Sequence, residues 1–177
     1  QQQIGNRVLL HKQIIILILV SYYKMDTNGS FPDAHWSNNG TINWATYTAS
    51  GKINWGYSFD GVNDYVTIWD SIENRLTGNY SINFWIKRTA STTVQRVINK
   101  DNANDFSWWY AITLFDLVWL WYGMVFSHNN WSLDQNWSPW YLPTPWVWTM
   151  VTLTFDWSNR RLYANWVLQD SIATTWN

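Results

Sequence analysis

The sequence predicts an all-β domain built as an antiparallel sandwich. Three observations carry that prediction. Short extended runs rich in β-branched and aromatic residues recur at fairly even spacing. Clusters of Asn, Asp, Gly, Ser and Pro separate them. No stretch carries a convincing amphipathic helical period. At 177 residues the chain suits one such domain.

Taken in order, Gln1–Gln13 is polar and reads as a linker or the tail of a preceding element. A start at Gln1 and an end at Asn177 read as an excerpt from a longer protein. Ile14–Val20, IIILILV, is apolar over seven residues. That is too short to span a bilayer, which takes about 20 residues. No small-residue cleavage site follows it, so a first strand continuing to Lys24 is the better reading. Asp26–Gly40 is a polar loop, with turn residues at Asn28-Gly29-Ser30, Pro32-Asp33 and Ser37-Asn38-Asn39-Gly40.

Tyr57–Ile68, YSFDGVNDYVTI, reads as two short extended runs around the turn Asp60–Asp64. Gly61 supplies a positive φ there, and Asp60, Asn63 and Asp64 can bond back to the local backbone. In Tyr80–Arg88, alternation sets Tyr80, Ile82, Phe84 and Ile86 on one face and Ser81, Asn83, Trp85 and Lys87 on the other. Val94–Lys100, Tyr110–Phe115, Leu117–Phe126, Trp148–Asp156 and Arg161–Leu168 are further strand candidates. There is no internal repeat and no low-complexity block.

Three of these stretches carry a family resemblance. YSFDGVNDYVTI matches an SFDG-x-xDYV segment, and LVSYYKMD at Leu19–Asp26 matches an opening LVxYYxFD-like strand. VWTMVTLTFD at Val147–Asp156, followed by RLYAN at Arg161–Asn165, matches a TWxHVAVTYDG strand, a turn and an LYVNG strand. The chain therefore resembles the concanavalin A-like lectin/glucanase superfamily, in its laminin-G-like branch, from Leu19 to Asn177. Met150 stands where that branch usually has His. The resemblance implies a two-sheet jelly roll over residues 14–177, with its closing strand expected beyond Asn177. It also implies one module of a larger secreted or surface bacterial protein.

Composition narrows the function. The formal net charge is −1 and only 13% of residues are charged, with no basic stripe, which argues against a nucleic-acid partner. No run is long enough for membrane insertion. Without Cys there is neither a disulfide framework nor a thiolate metal site. Lectin-fold hydrolases need paired carboxylates, yet the chain has a single Glu, Glu73, and no E-x-D-x-x-E pattern. His11, His35 and His128 lack a second His at ligand spacing, and read as solvated loop or strand-end residues. No catalytic residue is assigned.

Two binding candidates remain. Calcium prefers hard oxygen ligands. Asp60, Asn63 and Asp64 offer three within one turn, and Asp33 or Asp26 can approach from the first loop. Related jelly rolls often hold Ca²⁺ near such loops, and the alternative is that these side chains only cap the turn. For a sugar ligand, Trp85, Trp119, Trp121 and Tyr122 are the aromatic candidates, with ordinary packing as their alternative. The expected role is noncatalytic binding of a carbohydrate or a surface protein, outside the cell. A structural or adhesion spacer is the competing role, and a degenerate hydrolase a more remote one.

The tryptophan count stands apart: 17 Trp against 8 Gly. Glycine is ordinarily about 7% of a chain. Trp44, Trp55, Trp131, Trp137, Trp157 and Trp166 each follow Asn or Asp directly, where glycine is the usual turn residue. One reading is that UGA codons meaning glycine have been rendered as tryptophan. The other is a sugar-stacking surface, for which Trp119 and Trp121, alternating with Leu120 and Tyr122, form a local platform.

Overall fold

The computed structural model describes residues 19–68, 78–90, 94–100, 109–117, 121–129 and 141–173. Within 109–117 and 121–129 it describes the side chains of Ile112, Leu114 and Met124. Gln1–Gln13, most of Ile14–Val20, Glu73 and Trp119 lie outside the described residues. The described residues form no helix. They make antiparallel strands in four sheets, two in each of two compact units, Gln1–Arg75 and Leu76–Asn177.

In the first unit, β1 (Gly40–Asn43) pairs with β4 (Tyr65–Ile68), and β2 (Thr46–Ile53) pairs with β3 (Trp55–Ser58). The two runs of Tyr57–Ile68 are thus strands, but they do not pair with each other. The described part of the expected opening strand, residues 19–24, forms no strand but a one-residue bridge from Tyr23 to Asp33, beside which the Ala34 N–H donates to Tyr22 O at 2.7 Å. Phe31 is the main apolar anchor, 6% exposed, with its ring 5.0 Å from Tyr23 and 5.8 Å from Tyr57. Gly40 allows β1 to pass beneath it. A Cβ there would lie 2.7 Å from Val66 Cγ1 and 2.8 Å from Phe31 Cδ1.

The second unit contains a four-stranded sheet, in the order β11 (Val167–Ala173), β10 (Asn159–Ala164), β9 (Thr149–Phe155), β5 (Tyr80–Ile86). The unit also holds a three-stranded sheet of β6 (Gln95–Lys100), β7 (Trp109–Leu117) and β8 (Trp121–Asn129). One apolar cluster draws on both. It joins Val151, Leu153 and Phe155 of β9 and Leu162 of β10 to Ile112, Leu114 and Met124 of the other sheet, with Leu142. Burying this apolar area is the main favourable term for the unit. Tyr80, Ile82, Phe84 and Ile86 pack against the same cluster, as the alternation in β5 predicts. The run Arg161–Leu168 is not one strand: a two-residue turn at Asn165-Trp166 divides it between β10 and β11.

Candidate functional site

The four-stranded sheet has unlike faces because side chains alternate along each strand. Away from the apolar cluster, register sets Asn83 opposite Thr152 and Thr152 opposite Tyr163, a row that ends at Leu168. The neighbouring row sets Trp85 opposite Met150, whose backbone N–H donates to Asn165 Oδ1 at 3.0 Å. On the other side, Ser81, Thr154, Arg161 and Ser171 line up across all four strands. Strand spacing and rise put the Trp85 and Tyr163 Cα atoms roughly 12 Å apart.

Trp85 is 40% exposed and lies at the edge of this face. Thr152 Oγ1 donates to Asn83 Oδ1 at 2.8 Å, which fixes the carboxamide and keeps its NH₂ group as donor. Arg161 is held by Asp156, whose Oδ2 lies 2.5 Å from Arg161 Nη1. Asp156 Oδ1 accepts the N–H groups of Asn159 (2.7 Å) and Ser158 (3.1 Å). The Arg161 hydrogen bond and these backbone donors together hold the Asp156 carboxyl below its ordinary range. The face therefore combines an indole, a phenol, a carboxamide, a hydroxyl and a guanidinium. Such groups stack on sugar C–H faces and bond sugar hydroxyls. Among them there is no pair of carboxylates of the kind glycoside hydrolysis requires.

The expected ligand residues are distributed over the two sheets of this unit. Trp121 and Tyr122 lie on β8, opposite Leu117 and Asp116, whereas Trp85 lies on β5. Asn83, Thr152, Tyr163 and Arg161 were not singled out in the sequence. Alternation along β5 groups Asn83 with Trp85, but only register brings β9 and β10 to them.

A second aromatic group lies in the first unit. Tyr47 and Trp55 stack at 5.0 Å and 7°, with Tyr57 5.5 Å from Tyr47. The two phenols are tied down: Tyr47 Oη donates to Asp26 O at 2.8 Å, and Tyr57 Oη to Thr27 O at 2.7 Å.

The calcium candidates serve as turn supports. Asp60 Oδ1 accepts the N–H groups of Val62 (2.8 Å) and Asn63 (3.4 Å). The Asp60 N–H donates to Asp64 Oδ2 at 2.9 Å, and Gly61 has φ +79°. Asp33 belongs to a different loop, where its Oδ1 accepts the N–H groups of Tyr22 and His35, each at 2.9 Å. Among the described residues no group of three or more His, Asp or Glu is placed to hold a metal ion. Asp60 Oδ2, Asp64 Oδ1 and Asn63 Oδ1 stand outside these turn bonds. Three oxygens fall short of the six to eight that Ca²⁺ takes.

Fold and face together define a class: an all-β domain of antiparallel sheets with an aromatic and polar sheet surface. No family model matches the chain, and no curated protein matches it. Solved structures share its fold, two of them as follows. One is domain 4 of AbnA, a GH43 extracellular arabinanase from Geobacillus stearothermophilus, in complex with arabinotriose. It aligns at TM-score 0.61 and 20% identity over 89% of this chain and 76% of that one. The other is an S-layer domain-containing protein from Clostridium thermocellum, at TM-score 0.52 and 20% identity over 86% and 71%. Among the described residues no helix is long and apolar enough to cross a membrane.

Proposed function

We propose that this chain is a noncatalytic carbohydrate-binding module of a larger secreted or cell-surface protein, folded as a laminin-G-like two-sheet jelly roll. The observation that carries the proposal is the sheet face on which Trp85 and Tyr163 flank the Asn83–Thr152 pair. Aromatic rings supply stacking area at low conformational cost, and the fixed amide and hydroxyl supply direction. The arabinotriose belongs to the related arabinanase domain, and it makes arabino-oligosaccharides the first ligands to try. Fold likeness alone does not carry a ligand across. The lone glutamate of the sequence supports a noncatalytic role.

The test is titration calorimetry of the intact chain against arabinotriose, together with a glycan array. Saturable binding that weakens in Trp85→Ala supports the proposal. An array without signal favours the second reading, a structural or adhesion spacer, which the likeness to the S-layer domain supports. Calcium at Asp60, Asn63 and Asp64 is an accessory part of the proposal and would need water for most of its ligands. A thermal melt unchanged by millimolar Ca²⁺ removes that part and leaves the sugar face standing.

A further inference from the structure

Four turns hold a tryptophan at positive φ: Trp44 (+60°), Trp146 (+66°), Trp157 (+60°) and Trp166 (+71°). A side chain with a Cβ is disfavoured there, a bulky one most of all, and glycine adopts the conformation freely. Each turn also asks for glycine on its own terms. Thr144-Pro145-Trp146-Val147 closes through the Val147 N–H to the Thr144 carbonyl at 3.3 Å. With Pro second and positive φ third it is a type II turn, whose third residue is ordinarily Gly. Asn165 (+48°) and Trp166 join β10 to β11 with both φ values positive, a type I′ hairpin whose preferred pair is Asn-Gly.

The remaining two turns are tighter. In Asn43-Trp44-Ala45 and Asp156-Trp157-Ser158 the third N–H donates to the first carbonyl, at 2.8 and 2.6 Å. A central residue of positive φ in such a three-residue turn is the rare, strained γ form. Nor does burial compensate. Trp44, Trp146 and Trp166 are 68%, 66% and 75% exposed, and Trp157 is 37% exposed. Trp44 meets the Tyr65 ring at 6.1 Å and Trp157 the Phe155 ring at 5.4 Å. Trp85 differs in its backbone. It sits within β5, in ladder register with Met150, outside the positive-φ set.

We propose that positions 44, 146, 157 and 166 are glycines in the protein as its host makes it, encoded by UGA in a genetic code that reads this codon as glycine. Trp85, by the same geometry, is a true tryptophan encoded by UGG. The inference narrows the imbalance of 17 Trp beside 8 Gly by four residues on each side. It does not depend on the sugar-binding proposal, but it does decide which rings are available to a ligand. The exposed indoles of Trp44, Trp146, Trp157 and Trp166 leave the surface, and the Trp85 face remains.

The codons of the source gene are the direct test. UGA at the four turns with UGG at position 85 is expected, and UGG at the four turns overturns the inference. So does UGA at position 85, because geometry would then not separate the two kinds. The second measurement is thermal. The fourfold variant Trp44→Gly, Trp146→Gly, Trp157→Gly, Trp166→Gly is expected to melt roughly 10 °C above the chain as written. Trp85→Gly alone is expected to bring no rise in melting temperature. If the written chain does not fold, cooperative melting of the fourfold variant supports the inference. A fourfold variant that melts at or below its parent overturns it.

Discussion

Asp33 organises its loop through one carboxylate. It is 7% exposed; its Oδ1 takes the Tyr22 and His35 N–H groups, while its own N–H donates to Asn39 Oδ1 at 2.9 Å. Burial by itself raises its pKa. The backbone donors of Tyr22, His35 and Trp36, with the Ser21 hydroxyl, outweigh that and hold the carboxyl below its ordinary value. A depressed folded pKa contributes stability that is present above the unfolded value, about 3.9, and lost as pH falls through the folded one. Melting temperature is therefore expected to drop below about pH 4, and Asp33→Asn to flatten that part of the profile. Asp33→Ala leaves the Tyr22 and His35 N–H groups, among its donors, without their acceptor and is expected to cost about 1–3 kcal/mol in urea unfolding. Asp33 stands out in sequence as a turn residue in a polar loop. Its burial does not, because the segment it bonds and bridges to, Tyr22 and Tyr23, lies ten residues and more upstream.

At the scale of elements, β9 is the strand on which the second unit is built. It lies between β5 and β10, and its Thr149, Val151, Leu153 and Phe155 are all buried. Leu153→Ala removes a fully buried side chain and is expected to cost about 2–5 kcal/mol by urea unfolding. In the first unit, Gly40→Ala would force apart Phe31 and Val66, and a loss of about 1–3 kcal/mol is expected from the same measurement. The alternation of Tyr80–Ile86 was readable because each side chain faces a different medium. The β10–β11 break was not, since its turn carries Asn-Trp in place of the Asn-Gly that marks a hairpin. Strands β1 and β2 were also missed. GTIN and TYTASGKI are too polar for an apolar pattern to reveal them.

For the whole molecule, the sugar-binding proposal predicts that Trp85→Ala lowers affinity roughly 10- to 100-fold with the melting temperature nearly unchanged, because the ring is part of the exposed face. Calorimetry and a thermal melt on the same sample separate loss of binding from loss of fold. The sequence by itself determined the all-β class, the inward face of β5 and the anomaly of tryptophan in Asn-x turns. These are local properties, written in alternation and in the φ that each turn demands. The tertiary structure alone decided that the two halves of Tyr57–Ile68 pair with different strands, that Thr152 and Tyr163 join Asn83 and Trp85, and that Trp146 takes a positive φ after Pro145. Register is set by contacts between residues distant along the chain, where no local pattern records it.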